Sequence, residues 1–148
     1  MAEKTAVILY LSFSIFGVLL GFSAVIAFSV LDNSWAEFWS LLSGTYALMN
    51  AYLYYLVYKK KLDAFYNISE LRNINCFATI STIVYSGALV WYIFEIIYYK
   101  LPSLPVNESY PIIAVWCFMT VKWALALSFS TQRQIKILSN SGRALLQT

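Results

Sequence analysis

The stretch "YALMNAYLYYLVYKKK", residues 46–61, has the apolar density of a membrane helix, yet it contains five tyrosines and one asparagine. A phenol in hydrocarbon requires a hydrogen-bond partner for its hydroxyl group. The three consecutive lysines that end the stretch are typical of the cytosolic end of a membrane helix. The stretch therefore predicts a membrane helix that carries a polar face and ends at the cytosol.

The composition of the whole chain also indicates a membrane protein. Hydrophobic residues make up 61% of the 148 residues and charged residues 11%, whereas a soluble domain is about 45–50% apolar and about 25% charged. Four apolar blocks have the roughly 20 residues that cross a bilayer, namely 6–31, 38–58, 74–99 and 111–130. Since the connections are short, we predict one all-α domain of four transmembrane helices over residues 1–148, with a cytosolic tail at 131–148.

The distribution of Lys and Arg predicts the orientation, because these residues are enriched in cytosolic loops. The loop between the second and third blocks and the tail are basic, with Lys59, Lys60, Lys61, Arg72, Arg133, Lys136 and Arg143. The other two connections contain one cation, Lys100. Both termini are therefore expected in the cytosol. The sequon at Asn107 then faces the other side, where it is open to glycosylation.

Helical periodicity separates the tyrosines of the second block into two groups. At 100° per residue, one sector of about 120° holds Ser43, Tyr46, Asn50, Tyr54 and Tyr58. Tyr52 and Tyr55 point to other faces, while Tyr55 and Tyr58 lie where aromatic belts occur. The deeper part of this polar stripe has two interpretations: its groups bond neighbouring helices, or they line a ligand path.

The fourth block places Lys122 close to the expected centre of the bilayer. A lysine at that depth costs about 2.5–3.5 kcal/mol on insertion scales unless it reaches the surface or is paired. Glu95, near the outer end of the third block, is a candidate partner. A role for Lys122 in function is the other interpretation.

Small residues predict packing rather than chemistry. Gly17 and Gly21 of the first block are one turn apart, which indicates close helix packing within the bundle or between copies of the chain. Cys76 and Cys117 belong to different predicted depths. We therefore expect no disulfide between them.

The chain contains no histidine. This excludes a bis-histidine haem, the usual arrangement of b-type haem in small membrane bundles, and it excludes histidine-based metal sites. The sequence shows no motif for nucleotide binding, phosphate binding or a hydrolytic nucleophile. We therefore predict that the protein is not an enzyme.

Two segments resemble the haem-responsive-gene family of eukaryotic haem transporters. They are "FSIFGVLLGFS" at 13–23 and "SYPIIAVWCFMTVKWALALSFSTQR" at 109–133. The shared pattern in the second segment is S-Y, then V-W, then K-W-A, a short apolar run and a basic tail. The chain length, the four predicted spans and the cytosolic termini agree with this family.

The resemblance implies haem transport toward the cytosol from an endosomal, lysosomal or external compartment. The position that matches the family's haem ligand in the second helix is Tyr54. The second ligand position falls on or beside Tyr99, with Tyr98 and Tyr110 as neighbours. The family's aromatic-basic tail motif is retained at Phe129 and Arg133 but lacks its closing aromatic residue.

General haem chemistry is compatible with this hypothesis. Tyrosine serves as an axial ligand of haem iron, and the anionic propionates require cations, for which Lys100, Lys122 and Arg133 are candidates. We therefore expect stepwise transfer from Tyr99 past Tyr54 and Lys122 to the tail, in a plasma, endosomal or lysosomal membrane. A four-helix bundle is thin for enclosing a porphyrin, so the expected partners are haem, the lipid bilayer and further copies of the chain, with no nucleic acid.

Two other functions fit the same residues. A non-transporting membrane adaptor or assembly protein would use the polar stripe only to hold its helices together. A carrier of another amphipathic small molecule would use Lys122 as its coupling residue.

Overall fold

A computed structural model describes residues 2–145 of the chain, with side chains described for residues 4–142, and all of its regular elements are helical. The helices are α1 (Ala2–Val30), α2 (Ser34–Tyr58), the single-turn α3 (Leu62–Phe65), α4 (Ile68–Tyr99) and α5 (Tyr110–Leu145), with a 3-10 turn at Val106–Glu108. The all-α prediction is confirmed.

Within the described residues, three helical segments are long and apolar enough to cross a membrane: Lys4–Val30, Ile68–Tyr99 and Tyr110–Gly142. They support the prediction of a membrane protein. α2 has 25 residues, or about 37 Å at 1.5 Å per residue, so it is long enough. Its tyrosines, serines, asparagine and Glu37 make it too polar to qualify by composition. That α2 is a fourth span stays a proposal.

Side-chain contacts show that successive long helices run in opposite directions. Tyr10 of α1 stacks on Tyr54 of α2 with ring centroids 5.2 Å apart. Near the start of α4, Asn75 donates a hydrogen bond to the carbonyl oxygen of Ser128 in α5. The two ends of the described chain therefore lie at the same end of the bundle as Lys59 and its neighbouring lysines. Which side of a membrane this basic end faces stays a prediction.

The asparagines that precede α2 and α4 explain where these helices begin. The side-chain oxygen Oδ1 of Asn33 accepts a hydrogen bond from the Ala36 backbone N–H at 3.0 Å, which caps α2. The Asn33 side chain also donates to the Val106 carbonyl oxygen at 2.6 Å and thereby holds the 100–109 loop against α2. Asn67 and Glu70 form a reciprocal capping box at the start of α4.

Glycine allows α1 to approach α2 and α5 closely. A Cβ atom added to Gly21 would lie 2.5 Å from the Cα atom of Gly44 in α2, and one added to Gly17 would overlap the Trp123 ring of α5. Of the two alternatives for this glycine pair, the structure therefore shows packing within the bundle. Any contact between copies of the chain has to use another face.

α2 is the central helix of the bundle. It packs against α1 on one side and α5 on the other, and α4 packs mainly against α5. The buried residues of α4 are few, namely Leu71, Ala78 and Ser81. Much of the rest of α4 presents exposed apolar side chains, such as Ile83 and Ile97, as expected of a helix that faces lipid on one side.

The segment predicted as a tail continues the last helix. α5 does not end near Ser130 but extends to Leu145. Thr131 and Gln134 are buried in the bundle, so the first turns after Ser130 belong to the packed structure. Residues 146–148 of the predicted tail lie outside the described part of the chain.

We predict that Gly21→Ala destabilises the protein by about 1–3 kcal/mol, because a methyl group has no room beside the Gly44 backbone. Gly87→Ala in α4 is the matched control, since nothing lies within 4 Å of a Cβ atom added there. Alanine is intrinsically preferred to glycine in a helix by about 1 kcal/mol, so Gly87→Ala should be neutral or stabilising. Thermal unfolding in detergent, followed by circular dichroism, measures both. Equal effects of the two substitutions would contradict the packing described.

Candidate ligand-binding site

The tyrosines of α2 divide into a buried and an exposed group, as helical periodicity predicted except for Tyr58, which shares the sector of the polar stripe but is 40% exposed. Tyr46 is 3% exposed and Tyr54 7%. The exposed members are Tyr52, Tyr55 and Tyr58. Asn50, between the two buried tyrosines, is 1% exposed. Burial therefore places the polar stripe inside the bundle.

Three deep members of the stripe are hydrogen-bonded to a neighbouring helix, whereas the buried Ser43 hydroxyl has no partner among the described residues. The Tyr46 hydroxyl lies 3.4 Å from the Tyr85 hydroxyl of α4. Asn50 donates from Nδ2 to the Trp123 carbonyl oxygen of α5 at 3.0 Å. These contacts match the interpretation that the stripe holds helices together. Tyr54, the third member, also lines a cleft.

This cleft, the α1/α2/α5 cleft, has a volume of about 330 Å³ and opens between the three helices for which it is named. Four residues singled out from the sequence line it together: Tyr54, Lys122, Phe129 and Arg133. The other lining residues are Tyr10, Phe13, Ser14, Asn50, Trp123, Ala126 and Ser130. The cleft thus combines two cations, two phenols and further aromatic rings.

Tyr54 is fixed by contacts from two sides. Its hydroxyl lies 2.7 Å from the Ser130 hydroxyl of α5. Its ring is nearly parallel to that of Tyr10, with an interplanar angle of 13°. The phenol oxygen is therefore held in one position at the wall of the cleft.

Lys122 lies among aromatic rings. Its Nζ atom is 4.6 Å from the centroid of the Phe13 ring and 4.6 Å from that of Trp123. The carboxylate of Glu95 lines a different cleft, so the pairing considered from the sequence is not formed, and no other described carboxylate is within ion-pair distance of Lys122. Cation–π contacts of about 0.5–2 kcal/mol offset only part of the cost of placing a lysine in hydrocarbon.

Two buried polar atoms of cleft residues have no hydrogen-bond partner within the described part of the chain. They are Nε1 of Trp123 and Oδ1 of Asn50. Leaving a buried donor or acceptor unpaired costs about 1–3 kcal/mol, and native proteins do so rarely. The α1/α2/α5 cleft therefore contains an unpaired donor and an unpaired acceptor beside the Lys122 ammonium group, which has no counterion among the described residues.

Phe129 and Arg133 form the rim of this cleft. Phe129 is 62% exposed, and Arg133 is also exposed. Tyr10 and Phe13 contribute further exposed aromatic surface from α1. The opening of the cleft is therefore lined by aromatic rings, with the guanidinium group of Arg133 at its edge.

Another cleft, of about 800 Å³, lies at the opposite end of the bundle, against the 100–109 loop. Tyr110 lines it, whereas Tyr99 does not: Tyr99 is 60% exposed and contacts the Tyr98 ring. The charged residues among the described side chains that line this loop-end cleft are all acidic, namely Asp32, Glu95 and Glu108. The two predicted outer tyrosines therefore have different surroundings.

Tyr54 and Tyr99 lie far apart along the bundle. Tyr54 contacts Ser130, and Asn75 of α4 contacts the neighbouring Thr131, so Tyr54 is level with Asn75. Tyr99 follows Asn75 by 24 residues of helix, which corresponds to about 36 Å. One ligand cannot contact both tyrosines at the same time.

Sequence reasoning missed several residues of the site. Tyr10 and Ser130 hold Tyr54, and Asn75 links α4 to α5. A signal for Tyr10 was present, because it precedes Gly17 and Gly21 by seven and eleven residues and so shares their face of α1. Ser130 and Asn75 gave no such signal, because their partners belong to other helices.

We predict that Lys122→Met stabilises the protein by about 1–3 kcal/mol, because the substitution removes an unpaired charge from apolar surroundings and retains a flexible side chain. Lys136→Met on the same helix is the control, since Lys136 is exposed and does not line the cleft. Thermal unfolding in detergent measures both. A Lys122→Met protein less stable than the wild type would show that Lys122 has a stabilising role in the fold.

Comparison with family models, with curated proteins and with solved structures found no match. The resemblance to the haem-responsive-gene family therefore depends on the motifs at 13–23 and 109–133 alone. The function has to be inferred from the cleft itself.

Proposed function

We propose that the protein is a membrane carrier that binds haem in the α1/α2/α5 cleft and moves it toward the cytosol. The observation that carries this proposal is the convergence of Tyr54, Lys122, Phe129 and Arg133 on that one cleft. These residues belong to two helices and are spread over 80 positions of sequence. Their chemistry matches the parts of an iron porphyrin: an oxygen donor for iron, cations for acid groups and rings for the macrocycle.

Tyr54 is the residue that would bind the iron. Ferric haem accepts a tyrosine oxygen as axial ligand in other proteins. The Ser130 hydroxyl, 2.7 Å away, can donate a hydrogen bond to a phenolate oxygen, which then keeps a lone pair for iron. Tyr10, stacked on the phenol ring, would fix the direction of that lone pair.

The volume of the cleft limits how much of a porphyrin it encloses. Ligand pockets that bury most of a drug-sized molecule range over about 300–1,000 Å³, and 330 Å³ is at the lower end. We therefore propose that one edge of the macrocycle enters the cleft and the remainder lies against Phe13 and Phe129. A second copy of the chain that covers this remainder would account for the predicted homo-oligomer.

Lys122 and Arg133 would bind the propionates. The two cations line the same cleft, one inside and one at the rim. Eleven residues separate them on α5, which is about 16 Å of helix, so they mark the inner and outer parts of the cleft. A dicarboxylate ligand matches two separate cations better than a neutral one does.

The route to the cleft would begin at Tyr99. The carboxylates of the loop-end cleft repel an anionic ligand, so we place the entry on the exposed face of α4 at Tyr99 rather than at Tyr110. Since about 36 Å separates Tyr99 from Tyr54, transfer between them has to be stepwise. We propose a plasma, endosomal or lysosomal membrane, with the basic end of the bundle in the cytosol.

A non-transporting adaptor is the second candidate. The observation that favours it is that Tyr46, Asn50 and Tyr54 all bond neighbouring helices. Under this alternative the stripe holds the bundle together and Lys122 has no ligand. The purified protein would then leave the Soret band of added haemin unchanged.

We predict that purified protein shifts the Soret band of haemin and that Tyr54→Phe, which removes only the oxygen, abolishes the signature of tyrosine ligation. Tyr55→Phe is the matched control, because Tyr55 is the exposed neighbour. In proteoliposomes, Tyr54→Phe should also slow haem uptake at equal protein content, whereas Tyr55→Phe should not. An unchanged Soret band with wild-type protein would favour the adaptor. Unchanged spectra and uptake in Tyr54→Phe would contradict iron binding by this residue.

A further inference from the structure

Lys122 and Trp123 both line the cleft, and each carries a hydrogen-bond donor that has no acceptor among the described residues. We infer that the α1/α2/α5 cleft is a carboxylate site, in which these two residues hold the acid group of an amphipathic acid and supply more of its affinity than iron does. The inference rests on the proposed function in one respect, that this cleft is the ligand site. It names the chemical group that the cleft selects.

The ammonium group of Lys122 is the first of the two donors. Its ammonium group is placed over the rings of Phe13 and Trp123, and it contacts no carboxylate among the side chains that the structure describes. In apolar surroundings an ammonium group favours an anion strongly, because water does not screen the attraction. An anionic ligand would therefore remove the main electrostatic penalty of the site.

The indole N–H of Trp123 is the second donor. It is buried and has no partner among the residues that the structure describes, and it belongs to the same ring over which the Lys122 ammonium lies. A carboxylate has two oxygen atoms, so one can accept from the ammonium group and the other from the indole. The Asn50 amide oxygen is an acceptor, and a water molecule beside the carboxylate would serve it.

The walls of the cleft indicate the rest of the ligand. Phe13, beside Lys122, and Phe129, at the rim, expose large apolar faces. A small inorganic anion would leave these faces without a partner, whereas an organic acid covers them with its apolar body. With a volume of about 330 Å³, the cleft accommodates the acid group and the adjoining part of a larger molecule.

The experiment compares four ligands on the full chain in lipid nanodiscs, with empty nanodiscs as the partition control. Haemin has both iron and acid groups, metal-free protoporphyrin IX has only the acid groups, and haemin dimethyl ester has only the iron. Palmitate tests whether a linear acid competes with the porphyrins. Quenching of tryptophan fluorescence gives the dissociation constants of the porphyrins, and displacement of protoporphyrin gives that of palmitate.

We expect protoporphyrin to bind about as tightly as haemin and the dimethyl ester to bind at least about tenfold more weakly. Lys122→Met should lower the affinities for haemin and protoporphyrin to that for the dimethyl ester. Lys122→Arg, which keeps the positive charge, should retain most of the wild-type affinity. Lys136→Met is the control, because it changes a cation of α5 outside the cleft. Displacement by palmitate would identify a general site for amphipathic acids. If both porphyrin acids bind and palmitate does not displace protoporphyrin, the site is one for acids carried on a ring.

Two results would overturn the inference: a dimethyl ester that binds as tightly as haemin, or acid affinities that do not change in Lys122→Met. If haemin binds and protoporphyrin does not, iron governs binding, so the inference fails and the proposed function stands. If palmitate binds through Lys122 and neither porphyrin binds, the inference stands and the haem function fails.

Discussion

The polar side chains of α2 have to find their partners inside the bundle, and the rest of the structure depends on this constraint. An unpaired polar group in hydrocarbon costs several kcal/mol, so a helix as polar as α2 cannot face lipid on all sides. α5 supplies the partners, with the Trp123 carbonyl oxygen for Asn50 and the Ser130 hydroxyl for Tyr54. α1 packs closely against α2 at Gly21 and Gly44. The candidate cleft lies where these contacts leave the polar face of α2 uncovered.

Sequence reasoning predicted the features that depend on one helix at a time. The all-α fold, the burial of Tyr54 and the exposure of Tyr55 follow from hydrophobic blocks and from the 100° periodicity. Features that depend on how helices face one another were not predictable: the Ser130 partner of Tyr54, and the separation of Lys122 from Glu95. The end of α5 was also misjudged, because basic and polar residues after Ser130 end an apolar block without ending a helix.

Three uncompensated polar groups belong to one cleft. Lys122, the Trp123 indole and the Asn50 amide oxygen all line the α1/α2/α5 cleft. The buried Ser43 hydroxyl is a further described group without a hydrogen-bond partner, and it lies on the polar stripe outside the cleft. The combination of a donor, an acceptor and a cation in one cleft favours a ligand-binding protein over an adaptor.

The placement of the ligand in the α1/α2/α5 cleft is tested most directly by filling the cleft with a larger side chain and measuring haemin binding. Ala126 lines the cleft, and its neighbour Leu125 is exposed outside it, so Ala126→Trp and Leu125→Trp add a similar bulk to the two locations. With equal helical content confirmed by circular dichroism, we predict that Ala126→Trp abolishes haemin binding and that Leu125→Trp retains wild-type affinity. Wild-type affinity in Ala126→Trp would contradict the placement of the ligand in this cleft.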